Sequence, residues 1–177
     1  GGRIKLVRDA VAADRMLSLP AVMQIDNRRQ LGNEAYAWCW AAAKFLDSHP
    51  RYRGFFRELP KEVLNPDFNL TVERMYEIDW PYLLAEWSSY IATLDHGYDF
   101  ERMAIKFRRG KPVSVDAPVK TEIAADRGWQ SSLVTLEAGK SYKISATGRY
   151  QIAVENIGGA QQSWPCEPGG KVKVCTG

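Results

Sequence analysis

The sequence predicts an α+β protein, with an N-terminal all-α helical bundle over residues 1–105 and a small antiparallel β-sandwich-like domain over residues 106–177. Three observations carry this reading. Apolar residues recur at helical spacing as far as Ile105, and from Lys106 onward they alternate with polar ones. The second part is also cut at short intervals by Gly and Pro turns, the punctuation of short strands.

Composition sets the class. With 45% hydrophobic and 25% charged residues, the chain can bury a real core as a soluble globular protein. No apolar run approaches the roughly 18 residues needed to span a bilayer, so no membrane span is expected. Gly1-Gly2-Arg3-Ile4-Lys5 lacks the apolar stretch of a signal peptide and reads as a cut made inside a longer chain. A net charge of +3, with bases and acids interleaved, argues against a nucleic-acid partner. The densest basic cluster, Lys106, Arg108, Arg109 and Lys111 around Phe107, reads as a solvated linker in preference to a phosphate-contacting patch.

The elements follow in order. Leu6, Ala10, Ala13 and Leu17 predict a helix over Lys5 to Leu17, with Pro20 as a stop or the start of another element. Asn33 is placed to cap a helix over Glu34 to Ser48 that carries little charge. Tyr36, Trp40 and Ala43 line one side of it and Ala35, Cys39, Ala42 and Leu46 the next. His49-Pro50 ends it, because a residue before proline is pushed out of the helical region. A short amphipathic stretch over Tyr52 to Leu59 leads through Pro60 to the turn at Asn65-Pro66-Asp67. Asn69 or Thr71 then caps a helix through Met75. The strongest periodicity follows: Asp79 as N-cap, Pro81 in the first turn, then Leu83, Trp87, Tyr90, Ile91 and Leu94, with Gly97 as the stop.

In the second part, Val113 to Asp116 and Val119 to Ala124 read as strands. Ser132 to Leu136 and Tyr142 to Ala146, joined by the turn Glu137-Ala-Gly-Lys140, read as a hairpin. Arg149 to Val154 and Lys171 to Cys175 are the last predicted strands, with loops flanked by Gly158-Gly159 and Pro168-Gly169-Gly170 between them.

The chemistry is sparse. His49 and His96 each sit at a predicted helix end, where a histidine favourably meets the helix dipole, and no recognisable zinc, phosphate-binding or nucleophile motif is present. Glu86, Asp95 and Asp99 lie near Trp87, Tyr90 and Tyr98, a combination that sugar-processing sites use. The structural reading is stronger, with Glu86 on the polar side of its helix and Asp95 and Asp99 bracketing the exit. Trp129, Tyr142, Tyr150 and Trp164 could present an aromatic platform to a sugar, or fill a small core. Asp126, Glu155 and Asn156 could offer oxygen ligands to calcium. Cys166 and Cys175 are spaced for a hairpin disulfide, the alternative being two reduced thiols; Cys39 lies in an apolar helix. No catalytic residue, metal ligand or cofactor is assigned, and an extracytoplasmic location is the expectation.

Two stretches carry resemblances. Ala35-Tyr-Ala-Trp-Cys-Trp-Ala-Ala-Ala-Lys-Phe-Leu46, Tyr52-Arg-Gly-Phe-Phe-Arg-Glu-Leu59 and Leu83-Leu-Ala-Glu-Trp-Ser-Ser-Tyr-Ile91 resemble the helical C-terminal part of gluzincin-type zinc metallopeptidase-like proteins. The particular likeness is to a peptidase-like domain of unknown function in bacterial, planctomycete proteins. In that family the His-Glu-x-x-His motif and its downstream glutamate would precede Gly1, so the resemblance carries over no catalytic residue and implies a supporting half of a peptidase-like unit. The stretch Gly128-Trp-Gln-Ser-Ser-Leu-Val-Thr-Leu-Glu-Ala-Gly-Lys-Ser-Tyr-Lys-Ile-Ser-Ala-Thr-Gly-Arg-Tyr150 is similar to the opening strands of galactose-binding-lectin-like sandwiches.

The expectation is therefore a non-catalytic fragment of a zinc-peptidase-like protein, a helical scaffold with a β accessory module. Its expected partners are carbohydrate, through Trp129, Tyr150 and Trp164, or the absent N-terminal peptidase-like region. The alternatives are a hydrolase whose carboxylate site lies between the two segments, and a structural or assembly protein.

Overall fold

Helices fill the first part of the chain and short strands the second, in an α+β arrangement seen in a computed structural model. The structure describes residues 2–26, 32–114 and 117–168, and for residues 152 and 153 the backbone alone. Residues 1–109 with 126–132 form one compact unit, and residues 110–125 with 133–177 form the other. Among the described residues no helix is long and apolar enough to cross a membrane.

In the helical unit, α1 spans Gly2–Ala12 and buries Val7 and Ala10. It stops short of the predicted Leu17 for a local reason. Asp14 adopts φ 56, while the Arg15 N–H donates to Ala10 O at 2.9 Å and the Asp14 N–H to Val11 O at 3.0 Å. That is a Schellman closure with aspartate, one of the residues that tolerate the left-handed region, in the place usually held by glycine. Pro20 turns out to start an element: α2, Leu19–Met23, is capped by Ser18, whose hydroxyl accepts from Ala21 N–H at 3.3 Å.

The central helix α3, Asn33–Ser48, packs against α1, α2 and the short α4, Arg53–Phe56. Its N-cap is Gly32, one residue before the predicted Asn33. Its buried stripe is Ala37, Trp38, Ala41, Phe45 and Leu46, whereas Tyr36 and Ala43 are exposed. A helix apolar on nearly every side gives periodicity no means of choosing its inner face. A 3-10 turn at Leu59–Glu62 follows α4, and then α5, Phe68–Met75. The N-cap of α5 is Asp67, not Asn69 or Thr71. Asn65 closes the preceding turn, its Oδ1 accepting from Asp67 N–H at 2.9 Å and its Nδ2 donating to Thr71 Oγ1 at 3.1 Å.

Helix α6, Trp80–Ala92, follows its predicted pattern closely, burying Leu83, Trp87, Tyr90 and Ile91, with Leu94 buried just beyond. It ends at Thr93, whose hydroxyl donates to Ser89 O at 2.8 Å, four residues before Gly97. The last helix, α7, is Phe100–Met103, with Asp99 as its cap. Phe45 is the hub of the core, its ring centroid lying 5.4–6.5 Å from those of His49, Tyr52, Trp87, Tyr90 and Phe100. Trp87 also donates its indole N–H to Leu17 O at 2.9 Å, fastening α6 to the segment between α1 and α2.

The β-rich unit differs from the sequence expectation. Its β1, Lys111–Pro112, pairs in parallel with β2, Val134–Thr135. The predicted strands over 113–114 and 119–124 do not form, apart from a single bridge between Ser114 and Ala117; residues 115–116 lie outside the described residues. The predicted turn at 137–140 exists, with Gly139 at φ 78 and Lys140 N–H donating to Glu137 O at 3.4 Å, but residues 142–146 carry no strand. Positive φ at the third turn residue is the type II geometry, whose twist splays flanking strands apart. The hairpin forms later in the chain. Here β3, Tyr150–Ile157, runs antiparallel to β4, Ala160–Cys166, through Gly158 and Gly159 at φ 60 and 86. Two consecutive positive φ values match the primed turn that suits strand twist. The predicted loop after Gly159 is thus a strand, and the predicted strand 171–175 lies outside the described residues.

Candidate functional site

Two polar side chains are buried in the helical core among the described residues, His49 at 4% and Glu86 at 3% exposure, and they meet each other. His49 is the C-cap of α3, turned out of the helix to ψ 128 ahead of Pro50. Its ring then stacks on Tyr52, with centroids 4.4 Å apart and an interplanar angle of 23°. Glu86 stands in the middle of α6, three residues after Leu83 and four before Tyr90, which places it on the inner stripe. The predicted polar-side position of Glu86 is therefore corrected. The spacing from Leu83 and Tyr90 was the signal that could have found it.

Both oxygens of the carboxylate are engaged. Its Oε1 accepts from His49 Nε2 at 3.1 Å and from the backbone N–H of Ile105 at 2.6 Å, and its Oε2 accepts from the Tyr52 hydroxyl. On the far side of the imidazole, the Arg51 N–H donates to Nδ1 at 3.2 Å. Nδ1 is thus an acceptor, which leaves the proton on Nε2, facing Glu86. His49 stands at the helix end where the sequence places it, and its ring is hydrogen-bonded there to Glu86. Burial by itself would raise the Glu86 carboxyl, but the bonds from His49, Tyr52 and Ile105 outweigh it and hold the group below the ordinary carboxylate range. Burial first, and then the facing carboxylate, keep the Tyr52 hydroxyl protonated far above its usual range.

The space beside this cluster is small. A cavity of about 10 Å³ lies among Phe45, His49, Glu86, Tyr98 and Phe100. That is room for one water at most. The arrangement fastens the end of α3, the middle of α6 and the segment after α7 to one another. Beside it there is room for one water and not for a substrate.

The other acidic candidates are on the surface. Asp95 pairs with Arg8 at 3.0 Å and accepts the N–H of His96 at 2.8 Å, while Asp99 caps α7 by accepting from Arg102 N–H at 3.1 Å. Trp87 and Tyr90 are core residues, each 1% exposed, and Tyr98 is half-buried against Tyr90. Glu86 thus faces the interior and the two aspartates the solvent, so no carboxylate dyad is assembled. His96 is exposed and lies three residues past the C-cap of α6, outside the last turn expected for it. In the basic cluster Lys106, Arg108 and Arg109 are exposed as expected, but Phe107 is anchored against Tyr82 at 4.5 Å, with Arg51 over both rings.

The proposed sugar-binding aromatics divide between the units. Trp129 belongs to the helical unit and is 69% exposed. Tyr150 and Trp164 belong to the β-rich unit, where Tyr150 pairs directly with Cys166, two residues after Trp164. They share one face of the hairpin, Tyr150 exposed and Trp164 half-buried. Tyr142 is half-buried, its hydroxyl accepting the Glu137 N–H at 2.8 Å. Of the calcium candidates, Asp126 lies in the helical unit facing Arg102 at 3.9 Å, while Glu155 and Asn156 lie on β3 beside Gln162 and Gln161. Cys166 is buried, and its predicted disulfide partner Cys175 lies outside the described residues. Cys39 is half-buried on α3, and burial raises its thiol. Compared with known proteins, the chain matches no family model, no curated protein and no solved structure at a significant level.

Proposed function

We propose that this chain is a non-catalytic supporting piece of a zinc-peptidase-like protein, a helical scaffold joined to a β-rich accessory module that meets carbohydrate or the peptidase-like region itself. The observation that supports the scaffold reading is the engagement of both Glu86 oxygens inside the fold. The most deeply buried carboxylate in the helical unit accepts from His49, Tyr52 and Ile105 and works as an internal fastener. The peptidase-like part of the reading rests on the resemblance of the Ala35, Tyr52 and Leu83 stretches to the helical part of gluzincin-type domains. For the carbohydrate assignment, the shared face of Tyr150 and Trp164 on the accessory module and, separately, the exposed indole of Trp129 on the helical unit are the surfaces offered to a sugar ring.

The test is a peptide-hydrolysis panel on the purified chain with zinc supplied, run beside the Glu86→Gln variant, and a thermal melt with zinc or with chelator. The scaffold reading expects no turnover and an unchanged melting temperature. Turnover abolished by Glu86→Gln, or a clear metal-dependent shift, would overturn it. Glycan-array binding that is lost in Trp129→Ala or Trp164→Ala supports the carbohydrate assignment, and an empty array removes it.

A further inference from the structure

We propose that the helical unit takes up a small neutral apolar molecule, or the apolar end of a larger one, in a cavity between α2, α3, α5 and α6. The cavity measures about 150 Å³ and its wall is wholly apolar. Leu19 from α2, Leu46 from α3, Val72 from α5 and Leu83 from α6 form its buried depth, at 0–7% exposure. Met23 and Ala43 stand nearer the surface, half-buried and exposed. Tyr76 also lines it, but that hydroxyl is engaged elsewhere, donating to Tyr52 O at 3.1 Å.

Two features make this space a site. Protein interiors are packed with few voids larger than a water, because lining atoms facing empty space lose their dispersion contacts. Here Ala42 and Ala43 face the cavity, two short side chains on a helix that elsewhere carries Trp38, Trp40 and Phe45. Two of the walls are also tied to each other. Asn69 on α5 donates from Nδ2 to Met23 O at the end of α2 at 3.0 Å, which fixes how these two elements frame the pocket.

The lining selects the ligand. A polar or charged group would lose its hydration against walls with nothing to bond it. The apolar pocket, open toward Met23 and Ala43, has about 150 Å³ of space, enough for a benzene ring. The occupant is therefore a hydrocarbon group of about that size, from a free small aromatic or from the end of an acyl chain whose polar head stays in water.

Thermal melts of the full chain with saturating benzene, and separately with octanoate, test the assignment alongside methyl spectra of the labelled protein. A bound ligand stabilises the folded state by mass action, and an upward shift of about 4 °C or more is expected for at least one probe. The spectral changes should centre on the methyls of Leu19, Leu46, Val72 and Leu83. A response to benzene alone points to a free small aromatic, and a response to octanoate points to an acyl chain. Filling the space with Ala42→Leu or Ala43→Leu should abolish the shift while the variant stays folded in the same spectra. The proposal fails if neither probe shifts the melt, if the perturbed methyls lie elsewhere, or if a folded filled variant responds like the parent chain.

Discussion

The backbone N–H of Ile105 donates to Glu86 Oε1 at 2.6 Å, tying the segment beyond α7 to the centre of α6. The bond is charge-assisted, and it shares its carboxylate with His49 and Tyr52. Removing the carboxylate should therefore cost more than removing any one donor. Glu86→Ala leaves the imidazole N–H, the Tyr52 hydroxyl and the Ile105 N–H without their acceptor, and a loss of about 3–5 kcal/mol is expected from urea denaturation. Glu86→Gln should cost less, about 1–2 kcal/mol, because Tyr52 can reverse its hydroxyl and accept from the amide while the remaining oxygen still serves His49 and Ile105. Equal losses for the two variants would contradict this account of the network.

Tyr52→Phe tests one arm alone. It strips the donor from Glu86 Oε2 while keeping the ring stacked on His49. A loss of about 1.5–3 kcal/mol is expected, as for a hydrogen bond to a charged group. Little change would mean that water replaces the hydroxyl.

The pH dependence has a definite sign. Glu86 titrates below its ordinary value of 4.5 in the folded state, so the unfolded chain binds the proton more readily. Its contribution is fully present above the unfolded value and is lost as pH falls from about 4.5 through the folded one. Denaturation midpoints measured from pH 6 to pH 3 should therefore fall more steeply for the parent chain than for Glu86→Gln. Parallel curves would show that Glu86 is not the titrating group.

Phe45→Ala should be among the most damaging core changes, because it empties the site around which five rings are gathered. The expected loss is about 3–5 kcal/mol by chemical denaturation.

In the β-rich unit, Gly110 passes so close to β2 that an added Cβ would lie 2.5 Å from Val134 C and 2.7 Å from its O, both backbone atoms. Gly110→Ala must push β1 away from β2. Amide exchange at Lys111, whose N–H donates to Leu133 O at 3.0 Å, should become markedly faster. An unchanged exchange rate would show that the ladder adjusts around the methyl.

What could be read in the sequence follows a physical divide. Helix α6 was legible because its apolar residues occupy one stripe, and periodicity reports a stripe. Helix α3 was legible as a helix but not in orientation, since alanines and aromatics surround it and Tyr36 and Trp38 differ in exposure without differing in character. The end of α1 was hidden because a left-handed aspartate closes it where glycine is the usual signal. Strand β4 was missed because Gln161, Gln162 and Ser163 have no strand-like side chains, and it is the turn at Gly158-Gly159 that sets the pairing. The Glu86 cluster escaped for a different reason. Charge suggested solvent, whereas its three donors come from residues 37 and 34 positions earlier and 19 later, a convergence that only the closed fold reveals.

Those separations bear on how the helical unit comes apart. If the end of α3 or the segment at Ile105 opened alone, Glu86 would be left charged, short of donors and still surrounded by rings. Partial opening is thus disfavoured relative to full unfolding, in which water reaches the carboxylate at once. The unit should lose its structure in one step, with the amides of Ile105 and Arg51 exchanging at the global rate although both lie outside any regular helix.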